Sequence, residues 1–239
     1  MQYHYYLYGM RVTADLDFVQ LDPVRLPEDD RDFGREKVRI RAMDEEEEAQ
    51  FRKEHGDCVC GSFLGKEKGW LCNRTLAMSV ERGQVIRYHI RKGGDPGAVR
   101  TYLLGFGIAM LSLQQGKLPI HCSALATPEG GAILIAGESG AGKSTLTAEL
   151  LKRGYRFLAD DMAVVDISGK EGVWVYPAFP YMKLCRDVVL RQGYPPEELL
   201  YIDEKKGQIS GALYRGISRE KARLERFVFW ESDGKRGGR

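Results

Sequence analysis

Gly137-Glu138-Ser139-Gly140-Ala141-Gly142-Lys143-Ser144, followed by Thr145, is the stretch whose reading decides the fold. It satisfies G-x-x-x-x-G-K-[ST] at every fixed position. The apolar run Ala132–Ala136 precedes it and reads as a buried strand. Leu146, Leu150 and Leu151 follow at helical spacing and predict an amphipathic helix from Ser144 to Arg153, with Gly154 at the place of a C-terminal cap. Strand, loop and helix in that order are the opening of an α/β core.

Each element of the stretch has a chemical reason. Phosphate oxygens need several backbone N–H donors converging at close range, and glycines let the chain turn without a Cβ in the way. The helix N-terminus behind the loop adds free N–H groups and a favourable dipole. Lys143 supplies a point charge for the β and γ phosphates, and the Ser144 hydroxyl is placed to ligate Mg²⁺. The expected ligand is ATP with Mg²⁺, held by Gly137, Glu138, Ser139, Gly140, Ala141, Gly142, Lys143, Ser144 and Thr145.

Two further features lie close in sequence. Phe157-Leu158-Ala159 and Met162–Asp166 read as strand, on either side of Asp160-Asp161. The helix returns the chain so that this strand can lie beside the first. Two carboxylates at a strand end suit a metal-linked and an acid/base role, and which takes which is open. Pro119–Ala126 reads as one strand and carries His121, which on spacing alone is as well explained as a structural histidine.

Upstream, residues 3–90 look β-rich. Tyr3, Tyr5 and Leu7 alternate with His4, Tyr6 and Tyr8, and Val38, Ile40 and Ala42 alternate with Arg39 and Arg41. Ser79–Ile90 reads as a hairpin with Arg82-Gly83 at its turn. Glu45–Glu48 reads as a solvated face or loop. Arg91-Lys92-Gly93-Gly94-Asp95-Pro96-Gly97 punctuates the chain and sets the expected division: a β-rich region over 1–92 and a core over 93–239. Val99, Tyr102, Leu103, Phe106, Met110 and Leu113 then fall on one helical face, ended by Gly116 and Pro119.

Composition narrows the class. The 239 residues are 43% hydrophobic and 29% charged, which suits a globular chain with a core. With 36 basic and 34 acidic residues the net charge is +2, which argues for neither a nucleic-acid nor a membrane surface. The opening residues lack a signal-peptide pattern, and the apolar stretch at Tyr102–Leu113 is shorter than the ~20 residues of a bilayer span. Five cysteines without a secretion signal read as reduced thiols of a cytoplasmic protein. His55, Cys58, Cys60 and Cys72 do not follow a standard structural-zinc spacing, and no zinc is expected there.

His121, the loop Gly137–Thr145 and Arg153-Gly154-Tyr155-Arg156-Phe157-Leu158-Ala159-Asp160-Asp161 together resemble the catalytic core of HPr kinase/phosphorylase, bacterial enzymes that phosphorylate a serine on a small carrier protein. The likeness covers about residues 119–166. It implies a P-loop core of the phosphoenolpyruvate-carboxykinase and HPr-kinase type, preceded here by the β-rich region. It also implies that Lys143 stabilises the transferring phosphoryl group, that Ser144 ligates Mg²⁺, that Asp161 is the base and that His121 holds the active-site histidine position; Asp160 is then the expected metal-linked member of the acidic pair. The chain departs from that family where Tyr176–Leu184 stands in place of a Glu-x-Arg-Gly-x-Gly segment, and in its N-terminal region. In both it is more similar to the HPr-kinase-like proteins of lasso-peptide clusters, some of which phosphorylate a serine of the precursor peptide. Leu224–Trp230 reads as a strand with a turn at Ser232-Asp233-Gly234-Lys235 and no return strand, as if the chain were shortened at its C-terminus.

The expected function is an ATP-dependent serine kinase acting on a peptide or small protein, with the region 3–90 offering an edge strand or groove to the peptide. A nucleotide-binding regulator or ATPase without an acceptor, and a small-metabolite kinase, are the alternatives. Neither a nucleic-acid nor a membrane partner is expected; the oligomeric state, a homo-oligomer included, is left open.

Overall fold

The alternating tyrosines do what their period demands. Tyr5 and Leu7 are fully buried on one side of a strand, β1 (Tyr3–Leu7), which turns through Tyr8-Gly9 into β2 (Met10–Ala14). Both turn residues have positive φ, 53° and 77°, the requirement of a two-residue hairpin loop. The structure, a computed structural model, describes residues 1–27, 36–56, 58–138, 140–169, 171–178, 181–185, 199–201, 206–210 and 220–231.

A first sheet is completed by β3 (Glu36–Ala42), β4 (Gly61–Leu64), β5 (Lys68–Cys72), β6 (Leu76–Glu81) and β7 (Val85–Ile90), in the order β1-β2-β3-β7-β6-β5-β4. β3 runs parallel to β2 and β7, and the other pairs are antiparallel. The hairpin expected at Ser79–Ile90 is β6–β7, with positive φ at Arg82 and Gly83.

The acidic run is not a loop. It is the first turn of helix α1 (Glu45–His55), where the helix dipole favours carboxylates. Asp44 and Glu47 form a capping box: each side chain accepts the other's backbone N–H, at 2.9 and 3.1 Å. Glu47 also takes Arg41, at 2.6 and 2.5 Å, and Arg87, at 2.8 Å. No residue of α1 is fully buried.

Helix α2 (Pro96–Gln114) lies on the other face, its Gln114 amide donating to the carbonyls of Gly65 and Val80. It contains a π turn at Leu103–Gly107. Val99, Leu103 and Met110 are buried as expected; the extra residue per turn brings Leu104, Gly107, Ile108 and Leu111 in with them, while the expected Phe106 and Leu113 are 56% and 43% exposed. At 19 residues the helix is, by length and composition, apolar enough to cross a bilayer, longer than the apolar stretch read from sequence. Because α2 belongs with the first sheet, the two compact units divide between Pro119 and Ile120, beyond the Arg91–Gly97 punctuation.

The cysteines depart from the reduced state expected of them. Cys58 and Cys72, separated by 14 residues, form a disulfide. The β4–β5 register sets Gly61 opposite Cys72, which brings Cys58, three residues earlier, to a Cα distance of 6.5 Å. Cys60 is exposed, Cys122 is buried, and the side chain of Cys185 lies outside the described residues.

The second unit holds the mixed sheet expected of an α/β core. Its strands are β8 (Leu118–Ile120) at the unit boundary, β9 (Ser123–Ala126), β10 (Gly131–Gly137), β11 (Arg156–Ala159), β12 (Ala163–Asp166) and β13 (Trp174–Tyr176). A small sheet of β14 (Tyr181–Cys185), β15 (Leu199–Tyr201) and β16 (Lys206–Ser210) follows, and β17 (Ala222–Trp230) returns to the larger one. The order is β11-β9-β10-β17-β13-β12-β8. β11 therefore lies beside β9, not beside β10 as expected; the neighbour of β10 on its other side is β17, in parallel. That pairing supplies the partner that the C-terminal strand lacked in the sequence; the turn at 232–235 lies outside the described residues. Helix α3 (Lys143–Lys152) packs Ala148, Leu146, Leu150 and Leu151 against Leu125, Ile133, Ile135 and Phe157. Gly154, at φ +91°, ends it as expected.

Two outcomes follow. Alkylation without reductant should label Cys60 and spare Cys58 and Cys72, with peptide mass spectrometry recovering the linked 58–72 pair; free Cys58 and Cys72 would contradict the disulfide. Separately, the Arg41 hydrogen bonds draw the Glu47 carboxyl from 4.5 down to about 2. A carboxylate so depressed contributes stability that is full above pH 4.5 and lost as pH falls toward 2. Glu47→Gln should be less stable than wild type at pH 7, with the difference closing over that acid window in thermal melts.

Candidate functional site

Several chain segments meet at one edge of the second sheet. β9 runs against both β10 and β11, so its start lies beside their ends: Ser123 is opposite Ile135, and Ala124 opposite Ala159. β17 ends there too, with Trp230 opposite Gly137. The carboxyl ends of parallel strands are where open α/β sheets bind ligands.

The glycine-rich loop leaves β10 at this edge. Gly137, Gly140 and Gly142 have φ of +150°, +83° and +99°, which disfavour any side chain. At Gly137 a Cβ would also stand 2.1 Å from the carbonyl oxygen of Trp230. The Trp230 indole N–H reaches across and donates to the carbonyl of Ala141 at 2.9 Å. Lys143 Nζ donates to the carbonyls of Gly137 and Glu138, both at 2.8 Å, so the ammonium is folded over the loop. Ser139 lies outside the described residues.

Ser144, half-buried, and Thr145, exposed, stand in the first turn of α3. Gly142 caps that helix without a side chain, and no acidic residue stands in its first turn. Its leading N–H groups thus have no side-chain acceptor from the cap, the arrangement that suits an anion.

The acidic pair is divided between two environments. Asp160 is 8% exposed and accepts the Ser123 hydroxyl at 2.6 Å. Asp161 is more open, with its side chain 37% exposed, and has φ +67°. That left-handed conformation is uncommon outside glycine, though aspartate and asparagine tolerate it best. It turns the Asp161 carbonyl toward His121, whose Nδ1–H donates to it at 2.7 Å. The same nitrogen lies 3.7 Å from the Asp161 carboxylate. His121 is not inside a strand: the expected strand Pro119–Ala126 breaks at His121-Cys122 into β8 and β9, leaving the imidazole side chain 71% exposed. Next to it Cys122 is buried, and burial pushes its thiol up to about 12, which makes it a poor nucleophile.

The structure therefore joins His121 to Asp161, and Lys143 to Gly137 and Glu138. It adds two residues that sequence reasoning missed. Ser123 gave no signal, since the sequence reads as one strand over Pro119–Ala126 with Ser123 inside it; the break at His121-Cys122 is what makes it a strand start. Trp230 gave one, the end of a strand without a return partner. Among the described residues no three His, Cys, Asp or Glu side chains gather as a metal site, and His55 packs on Trp70 with ring centroids 4.4 Å apart.

Residues 118–177 match the family model of the HPr Serine kinase C-terminal domain. The HPr kinase/phosphorylase of Streptococcus mutans is 47% identical over 103 residues, covering 43% of this chain and 30% of that protein. The HPr kinase/phosphorylase of Streptococcus salivarius is 47% identical over 49 residues, 20% of this chain and 16% of that one. The chain thus spans less than a third of the length of these curated relatives. The solved Hpr(Ser) kinase/phosphatase from Coxiella burnetii is similar over 46% of this chain and 63% of that one, at 17% identity and a TM-score of 0.32. The segment that carries the loop, the acidic pair and His121 is HPr kinase-like.

The contact at Gly137 makes a prediction about stability. Gly137→Ala must push β10 and β17 apart as well as adopt a strained φ, so a loss of about 2–4 kcal/mol is expected in denaturant unfolding. A variant as stable as wild type would show that the strands are not this close.

Proposed function

We propose that the second unit binds ATP with Mg²⁺ on a P-loop core of the phosphoenolpyruvate-carboxykinase and HPr-kinase type, and that the chain is a kinase transferring the γ-phosphoryl group to a serine hydroxyl. The observation that carries this reading is a lysine held over a left-handed glycine loop, beside an acidic pair at the same sheet edge. The residues fit the ligand. Loop and helix N–H groups and Lys143 suit the phosphates, and the Ser144 hydroxyl and Asp160 carboxylate are oxygen donors of the kind Mg²⁺ takes beside phosphate and water.

Bound Mg²⁺-ATP would supply the phosphoryl group and neutralise its charge. The chain's own residues do the positioning. Lys143 leaves its two carbonyls for the phosphates and stabilises charge on the transferring group. The Asp161 carboxylate takes the proton of the attacking serine hydroxyl as its oxygen bonds to phosphorus and the nucleoside diphosphate departs. His121 steadies Asp161 through its carbonyl, and Ser123 fixes Asp160 by its hydrogen bond.

For the acceptor we propose a serine of a peptide or small protein, in particular a lasso-peptide precursor. Support for the acceptor class comes from the HPr kinase-like segment, whose curated relatives are named as HPr kinases/phosphorylases. Support for the narrower choice is the sequence alone, which lacks Glu-x-Arg-Gly-x-Gly.

Calorimetry and phosphotransfer assays test the reading together. Lys143→Ala should lose at least tenfold in ATP affinity. Asp161→Asn, which keeps the tolerated backbone conformation, should bind ATP while transfer falls by roughly 10²–10⁴-fold. Unchanged ATP affinity in folded Lys143→Ala would sink the nucleotide site. ATP turnover with no phosphoserine on precursor peptides or on HPr would make the chain an ATPase or regulator.

A further inference from the structure

The first unit contains a cavity of about 470 Å³ between α1 and the sheet, lined wholly by its own residues. Its floor follows from register. Phe63, Trp70, Ser79 and Arg87, all of which line it, are directly opposite one another across β4, β5, β6 and β7, so all four point to the α1 face. The row starts at a sheet edge. β4 is the last strand in the order, and Ser62, Phe63 and Leu64 are exposed, Phe63 by 55%. A large aromatic side chain left in water at the rim of a cavity marks a contact surface.

The walls are aromatic and acidic. Phe51 and His55 from α1 close on Trp70, with His55 and Trp70 ring centroids 4.4 Å apart and Phe51 and Trp70 6.4 Å apart. Four carboxylates line the space against two basic side chains. Glu47 is taken by Arg41 and Arg87, and Glu81 by Arg87 with Lys68 opposite it in register. Glu46 and Glu54 have no lysine or arginine partner among the described residues; Glu54 meets Gln50 and His55, the latter at 3.7 Å. An aromatic box with two carboxylates at its lip is complementary to a guanidinium or ammonium group.

We propose that the first unit is a peptide-recognition module: an extended peptide pairs with the edge of β4 that has no partner strand among the described residues and places a cationic side chain in the aromatic cavity under α1. A strand added to β4 would set the residue opposite Phe63 on the α1 face, because directly opposed residues share a face. That residue continues the row Phe63–Trp70–Ser79 and delivers its side chain to the cavity. Backbone pairing gives affinity with little demand on sequence, and the cavity selects for one positive charge.

Titration calorimetry on the full chain, without nucleotide, reads the proposal independently of the loop's function. The probes are acetylated, amidated pentapeptides with threonine and valine flanks and arginine, norleucine or glutamate at the centre. The arginine peptide should bind about three- to thirtyfold more tightly than the norleucine peptide, the range of a cation over aromatic rings with carboxylates nearby, and the glutamate peptide more weakly still. Glu46→Gln with Glu54→Gln, both on exposed α1 positions, should erase the preference for arginine while leaving norleucine binding unchanged. Phe63→Ala should weaken all three. Equal affinity for the three peptides, a preference that survives Glu46→Gln with Glu54→Gln, or no heat from the arginine peptide up to millimolar concentration would each overturn it. Tighter binding of the glutamate peptide would do so too, and would point to the basic groove on the other side of α1, at Arg74, Arg91 and Lys92.

Discussion

The backbone of Trp230 lies where a side chain on Gly137 would have to be. This close approach of β10 and β17 governs the edge of the second sheet. It fixes the exit of the glycine-rich loop at one end, while the Trp230 indole holds the carbonyl of Ala141 in the middle. Lys143 then closes the loop from the helix side through the carbonyls of Gly137 and Glu138. A loop rich in glycine has much conformational entropy to lose. Here three contacts, two of them from a strand some ninety residues away in sequence, limit that freedom at the described residues Gly137, Glu138 and Ala141. Under the proposed reading, an anion arriving there would find the described part of the loop largely ordered already, which is the advantage of preorganisation.

The first unit is built on the opposite principle. Its sheet buries Met78, Val80 and Ile86 on the face toward α2, and that face holds the core. The α1 face carries Trp70, Ser79, Arg87 and His89, and the helix over it buries no residue completely. What fastens α1 is charge and stacking: Glu47 on two arginines, Glu48 on His89 at 3.0 Å, and Phe51 with His55 on Trp70. Dispersion and hydrophobic burial favour tight packing, whereas ion pairs leave room around them. Spaces on both sides of α1 are the consequence. A helix retained without contributing to a core is a natural candidate for a binding face rather than a scaffold.

What the sequence made legible was local. The strand–loop–helix unit, the Arg82-Gly83 hairpin and the burial of Tyr5, Leu7, Val38 and Ile40 each follow from a period or a turn residue, and each is present. Some misreadings are local, as with the acidic run that a capping box turns into the start of α1, and others come from a change of phase or a pairing that periodicity does not contain. The π turn in α2 adds a residue that no periodicity template contains, so Phe106 and Leu113 come out on the wrong side. The Cys58–Cys72 bond depends on the β4–β5 register. β11 sits beside β9 because two antiparallel neighbours can reach the same edge as one parallel crossover, and local sequence does not choose between them. At the site, the loop and the acidic pair were legible by motif. Ser123 was not, being read inside the strand Pro119–Ala126, and Trp230 showed only as the end of a strand without a return partner.

Asp160 and Asp161 show why adjacency in sequence says little about role. The two are chemically alike, and nothing in the chain separates a metal-linked carboxylate from a base. The break after β11 separates them. Asp160 stays inside the sheet edge, shielded and tied to the Ser123 hydroxyl, so its oxygens are held in one place. Asp161 is carried outward by a left-handed turn, its carbonyl engaged by His121 and its side chain 37% exposed. Under the proposed reaction the work divides along that line. Holding a hard cation rewards a fixed oxygen, and buried aspartate supplies one. Taking a proton from an arriving hydroxyl requires access, which only the exposed partner has. A left-handed backbone costs about 1–2 kcal/mol for a residue with a side chain, and such strain persists where the surroundings enforce it. The His121 hydrogen bond is one such enforcement, so its contribution to the chemistry would be through the posture of Asp161 rather than through a proton of its own.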